Sequence, residues 1–133
     1  MGKTLPMATE RPDRVVHIAL PHDWAAARPA GRYTVSTRGV SLAEEGFIHC
    51  SLPRQVEATA NAFYGDLHEL VLLHIDTSKV AAPIVVEPPF PGAPDAFPHI
   101  YGPIPVDAVV GVTRWRRDER DPWSYPAEPP AAP

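Results

Sequence analysis

Glu45-Gly46-Phe47-Ile48-His49-Cys50-Ser51 and Phe97-Pro98-His99-Ile100-Tyr101-Gly102-Pro103 each set an imidazole inside a short apolar run. A run of this length reads as a strand, and a strand points alternate side chains to opposite faces. On that reading Phe47, His49 and Ser51 share one face, with Ile48 and Cys50 on the other. In the second run His99 and Tyr101 fall together and Ile100 opposes them. Val15-Val16-His17-Ile18-Ala19-Leu20 repeats the pattern, because alternation buries Val16, Ile18 and Leu20 and turns His17 the other way. The three imidazoles are thereby predicted to line one pocket.

Outward from these runs, Glu69-Leu70-Val71-Leu72-Leu73-His74-Ile75-Asp76 is almost unbroken in its apolar character, which predicts a central strand covered on both faces. Asp23 to Arg28 reads as a short helix capped by Asp23 and ended by Pro29 and Gly31. Tyr33 to Ser36 reads as extended. Ser41-Leu42-Ala43-Glu44 matches a capping box, with Gly46 stopping the turn. Pro53 to Tyr64 is predicted as the main helix, with Val56, Ala60 and Phe63 on its inner face. Ile84 to Glu87 predicts a shorter strand. The prolines from there to Pro105 predict an ordered, functional loop with little ladder pairing. Val106 to Trp115 reads as the last strand. Residues 1–13 are expected to be an N-terminal extension, 14–121 a single globular domain and 122–133 a proline-rich, disordered tail.

At 133 residues and 44% hydrophobic content, one compact domain can bury a core without metal or disulfide support. The single cysteine gives no sign of an oxidising compartment, no secretory leader is evident, and no apolar run approaches the roughly 18 residues of a bilayer span. A cytoplasmic protein with no membrane partner is the expectation. A formal charge of −4 without a basic stripe argues against a grip on long nucleic acid and for a small substrate.

The common phosphate-loop, zinc, hydrolase and dithiol motifs are absent. No histidine pair has i, i+2 or i, i+4 ligand spacing, so no metal is expected. Cys50 and His49 face opposite ways on a strand and cannot act as a dyad, which leaves Cys50 as a small buried thiol. His74 reads as a hydrogen-bonded sheet histidine and His68 as a loop residue. Glu87, entering the proline-rich loop, reads as an acid/base, a ribose-hydroxyl acceptor or a solvated strand end. Arg32, Arg38 and Arg54 flank the histidine strands and are candidate anion ligands.

Five blocks in fixed order, V-V-H-I-A-L-P-H-D-W-A, E-E-G-F-I-H-C-S, Q-V-x-x-x-A-N-x-F-Y, L-V-L-L-x-I-D and F-P-H-I-Y-G-P-I, resemble the small bacterial family called domain of unknown function 952, from about Val15 to Val112. That family is similar to the ADP-ribosyltransferase fold, which implies an α+β domain of two split, mostly antiparallel sheets with short helices around a nicotinamide-nucleotide cleft. The branch most alike is the RNA 2'-phosphotransferase type, with a first-strand histidine and a second-strand I-H block, where His17 and Ile48-His49 stand here. The resemblance implies NAD as a substrate that loses nicotinamide. His17 and His49 would then hold ribose or acceptor groups, Ser51 would bond the carboxamide or ribose, and Tyr101 would stack on the nicotinamide ring. His17, His49 and Tyr101 are accordingly the expected catalytic residues, and His17, Ser51, His49, His99 and Glu87 the expected nucleotide ligands. The chain departs from the glutamate-dependent transferases just ahead of its last strand, offering Pro105-Val106-Asp107 and no glutamate. That departure leaves two expectations: an ADP-ribosyl-transferring enzyme, or a non-catalytic module that binds or senses a nucleotide or another small ligand.

Overall fold

The computed structural model describes residues 11–125, so most of the extension read over 1–13 and the end of the tail read over 122–133 lie outside the described residues. The chain runs β1 (Arg14–Ala19), α1 (Pro21–Ala30), β2 (Arg32–Tyr33), β3 (Val35–Thr37), β4 (Val40–Ser41), α2 (Leu42–Glu45), β5 (Ile48–His49), α3 (Val56–Phe63), β6 (Glu69–Asp76), β7 (Ile84–Glu87), β8 (Phe97–Ile100), β9 (Ile104–Pro105) and β10 (Val109–Arg116). This is an α+β architecture in which the strands pair antiparallel. One three-stranded sheet has the order β1-β6-β10 and another β5-β8-β7, with two-stranded ribbons β2-β9 and β3-β4 beside them.

The apolar run of β6 occupies the centre of its sheet, as its composition predicts. Leu70 and Leu72 enter a core shared with Val16, Ile18, Val56, Ala60 and Trp115. Val71, Leu73 and Ile75 enter a second core with Val15, Ala19, Ile48, Ile100 and Ile104. The sheet is thus covered on both faces, and the site is built where the second core meets β5 and β8.

Pro98 decides how β5 ends. It sits in β8, the middle strand of its sheet, although the proline density predicts little pairing there. Its carbonyl accepts from Cys50 N–H at 3.0 Å, but it has no N–H to return to Cys50. The β5-β8 ladder therefore stops after His49, and Ser51 crosses to β1, exchanging 2.8 Å backbone bonds with Val16 in both directions. That bridge joins the two large sheets. Because Cys50 faces Pro98 in the bonded register, the preceding pair His49 and His99 is a non-bonded one, whose side chains stand closer and whose carbonyls point away.

The carbonyl of His49 points to His17. The imidazole of His17, 2% exposed, donates from Nδ1 to that carbonyl at 2.6 Å and accepts at Nε2 from the Tyr33 hydroxyl at 2.9 Å. Strand alternation suggested an open pocket on this face; in the structure the face is covered by the second core, and both ring nitrogens are engaged. Burial pushes the His17 pKa down from its ordinary 6.5 to about 4, against the bond to the His49 carbonyl.

Other expectations are corrected at their ends. The cap of α1 is Leu20, with Pro21 in the first turn and Asp23 placed to favour the helix dipole, and Pro29 lies within the last turn. The Ser41–Glu44 capping box forms as read, and Gly46 closes it at φ 95°. Pro53–Gln55 is a separate 3-10 turn ahead of α3, which buries Val56 and Ala60 but leaves Phe63 69% exposed. Val106–Ala108 forms a 3-10 turn, so the last strand starts at Val109. The N-terminal boundary is earlier than Arg14, since Arg11 donates to the Thr77 carbonyl at 2.7 Å.

The tail expected from Pro122 is packed through Tyr125. Trp123 is 1% exposed, its indole N–H donates to the Tyr64 carbonyl at 2.9 Å, and its ring lies 4.7 Å from that of Trp115. Asn61 bonds the Trp123 backbone in both directions. Proline excludes regular structure from this segment, but an extended chain with one large indole still gains from burying it.

Two outcomes follow for stability. Trp123→Ala is expected to cost about 3–5 kcal/mol in denaturant unfolding, and an unshifted midpoint would contradict the packing. Because His17 is bound neutral, its contribution is complete above its unfolded pKa of 6.5 and is lost as pH falls through the window down to about 4. His17→Ala is expected to cost on the order of 2–4 kcal/mol at neutral pH. The stability gap between wild type and this variant is expected to narrow across that window, and a gap independent of pH would refute the assignment.

Candidate functional site

On the outer side of the β5-β8-β7 sheet, Glu87, His99 and Tyr101 converge. Glu87 closes β7, and its register partner on β8 is Phe97, two residues before His99. Side chains two apart share a strand face, so His99 reaches back to the carboxylate. His99 Nδ1 donates to Glu87 Oε2 at 2.7 Å, and the Tyr101 hydroxyl donates to the same oxygen. In the neutral ring this fixes the tautomer, with a lone pair left on Nε2. His99 is 1% exposed, and its Nε2 is buried with no partner among the described residues.

Aromatic packing holds the cluster. Phe47 stacks on His99 at 4.1 Å between centroids and lies 5.2 Å from the Tyr101 ring. His49 meets both Phe47 and His99 edge to face, at 4.8 and 5.1 Å. Glu45 Oε2, four residues upstream at the end of α2, stands 3.8 Å from His49 Nε2.

The electrostatics follow from these contacts. The Tyr101 hydroxyl, followed by His99, holds the Glu87 carboxyl below its usual range, and the carboxylate in turn pushes the Tyr101 phenol up to about 12. Burial, and then the neighbouring His99, lower the pKa of His49, with Glu45 opposing them. The product is a fixed carboxylate anion with one oxygen occupied twice, while His49, on the far side of His99, is biased toward its neutral form.

Two cavities adjoin the cluster. One of about 420 Å³ is lined by Phe47, Glu87, His99 and the Pro88 to Pro91 turn. The other, about 370 Å³, is lined on one side by His17, His49, Cys50 and Ser51 and on the other by Ser36, Tyr64 and Phe63. Pro89 and Phe90 line both, so the proline-rich loop is the wall between them.

The structure therefore divides the expected site. Glu87, His99, Tyr101 and His49 form one cluster. Ser51 shares the second cavity with His49, and its backbone serves the bridge to Val16. His17 borders that cavity as well, but with its nitrogens engaged it is a structural tie rather than a free ligand. The arginines expected to hold an anion are placed elsewhere: Arg38 pairs with Asp66 and Arg54 with Asp95, and no arginine lines either cavity. His74 bonds the Thr113 hydroxyl across β6-β10. The Cys50 thiol is buried, which pushes its pKa up. Among the described residues no three His, Cys, Asp or Glu side chains gather as metal ligands, and no helix is long and apolar enough to cross a membrane. Sequence reasoning missed Ser36, Phe63 and Phe90 as cavity residues. Ser36 carries no local signal beyond a polar residue in an extended run, and the other two become neighbours only through the loop's path.

Comparison with known proteins places this geometry. None of the curated proteins matches the chain. The crystal structure of protein CC0527 from Caulobacter crescentus is 27% identical, matching 84% of this chain and 93% of that chain with a TM-score of 0.69. A double mutant of that protein gives the same values. Its solution NMR structure is 25% identical over 82% of this chain and 90% of that one, with a TM-score of 0.60. The sequence model described as protein of unknown function, DUF952, matches residues 18–112, and the chain belongs to that family.

Proposed function

We propose that the protein is a cytoplasmic, ADP-ribosyltransferase-like enzyme whose substrate is NAD and whose two antiparallel sheets are the split sheets of that fold. The ribosyl C1'–N bond to nicotinamide breaks, and its electron pair leaves with the nicotinamide nitrogen. The acceptor oxygen forms the new bond to C1', and its proton, where it carries one, passes to Glu87.

One observation carries the reading: a carboxylate fixed through Oε2 by two donors, with Oε1 given no partner among the described residues and so open to face a developing oxocarbenium charge. Such preorganised charge is the largest single contribution to most enzymatic rate enhancements. Glu87 supplies the glutamate that is absent ahead of the last strand. The pair of cavities on either side of Pro89 and Phe90 suits a ligand of two parts, as a dinucleotide is.

A second reading, a module that binds or senses a nucleotide or another small ligand without turnover, is favoured by the absence of a glutamate ahead of the last strand, where Pro105-Val106-Asp107 stands.

Nicotinamide release from NAD, followed chromatographically alongside calorimetric titration, tests both. The enzyme reading expects release that falls about 100-fold or more in Glu87→Gln. Saturable binding without release would establish the second reading, and absence of NAD binding would overturn both in their NAD form.

A further inference from the structure

We propose that the 420 Å³ cavity beside Glu87 binds an aliphatic ammonium group, held by Glu87 Oε1 and covered by the rings of Phe47 and Phe90. The proposal goes beyond the transferase reading and does not rest on it. An ammonium at Oε1 takes the place that the transferase gives to the developing oxocarbenium charge, so the two ligands compete for one oxygen.

The anchor is within reach of a ligand. Glu87 lines the cavity with its side chain 31% exposed. Its Oε2 is taken by His99 and Tyr101, and Oε1 has no partner among the described residues. The side-chain polar atoms there that are both unpartnered and buried are Ser36 Oγ and His99 Nε2, so Oε1 keeps contact with solvent.

The charge of the ligand follows from what surrounds that oxygen. Three other carboxylates have a guanidinium at hand: Asp66 has Arg38 at 3.1 Å, Asp95 has Arg54 at 3.2 Å and Glu69 has Arg116 at 3.4 Å. Among the described residues neither Lys nor Arg pairs with Glu87 or lines this cavity, and the donors to the carboxylate are a phenol and an imidazole. A cation placed there gains from the carboxylate and from the aromatic rings, whose faces attract positive charge. The turn from Pro88 to Pro91 forms the rest of the wall, and only Phe90 within it has a backbone N–H, whereas each of its residues has a carbonyl. A ligand that donates suits such a lining, and one that accepts does not.

The kind of cation follows from Oε2. A guanidinium surpasses an ammonium where it can bond both carboxylate oxygens in parallel. Here Oε2 already accepts two donors, which leaves one oxygen and excludes the fork. An ammonium is a compact charge whose N–H groups are satisfied by one oxygen together with backbone carbonyls. The alkyl chain it carries has the prolines and the ring of Phe90, 60% exposed, to lie against.

The test is protein-observed NMR titration of the full chain with butylammonium chloride, at neutral pH and constant ionic strength. Butanol serves as the uncharged chain, tetramethylammonium as a charge without N–H, and butylguanidinium as the fork. Saturable shifts at Phe47, Phe90 and His99 are expected with butylammonium, none with butanol, and weaker binding with the other two cations. Glu87→Gln is expected to weaken butylammonium binding about fivefold or more. Phe90→Ala, at an exposed position, is expected to weaken it without loss of fold, which keeps the test intact should Glu87→Gln disturb the His99 and Tyr101 bonds. The proposal is overturned if butylammonium does not saturate below about 100 mM, if butanol binds as well, or if neither variant weakens binding. Tighter binding of butylguanidinium or tetramethylammonium would overturn the assignment to an ammonium. Nicotinamide release from NAD without butylammonium binding would refute this site and leave the transferase standing, and butylammonium binding without release would do the reverse. Where both occur, release unaffected by saturating butylammonium would place the cation elsewhere and overturn the proposal.

Discussion

The imidazole of His17 ties β1, β2 and β5 together at one buried point, and the β5 strand that carries His49 is held by that tie. Its two nitrogens differ in role, one donating to a main-chain carbonyl and the other accepting from a phenol. A neutral ring satisfies both bonds at once; an imidazolium has no lone pair for Tyr33. The carbonyl it grips belongs to His49, so the ring that fixes the core also holds the backbone of a residue that lines the second cavity. Both nitrogens of His17 are spent on bonds inside the core.

Glu87 meets the opposite fate. Two donors converge on one oxygen, which keeps the group ionised and rigid without neutralising it. Phe47 lies flat on His99, one of those two donors, and holds its ring in place. Among the described residues no Asp, Glu, Lys or Arg lines the neighbouring cavity. Charge and apolar volume are thus kept apart by a loop whose prolines resist deformation, a division that suits a ligand with unlike ends.

Where periodicity is local, the sequence was readable. β6 declared itself by an apolar run with both faces covered, and the Ser41–Glu44 box by a reciprocal bond within one turn. The grouping of His49, His99, Tyr101 and Glu87 was also legible in part, because residues two apart on a strand share a face. What stayed hidden depends on partners far along the chain. The cover over His17 comes from Tyr33 and from the crossing at Ser51, neither of which alternation encodes. Pro98 suggested a loop, yet a central strand accommodates it because the chain opposite departs at the position that needs the missing N–H. Trp123 sits among prolines, and nothing nearby indicates that Asn61 and Tyr64 wait to receive it. The expected resemblance gave roles to His17, His49 and His99; the structure sets His49 against His99 and holds both nitrogens of His17 in bonds within the core.

The packing of Trp123 has a consequence for synthesis. The core it closes also contains β1, from the start of the domain, while the central strand β6 finds its second partner only in β10. While the last residues of the domain remain inside the ribosomal tunnel, the emerged chain has one edge of its main sheet unpaired and one core unsealed. Folding is therefore completed only after nearly the whole chain has been made, and until then Leu70, Leu72 and the exposed edge of β6 are surfaces for a chaperone to cover.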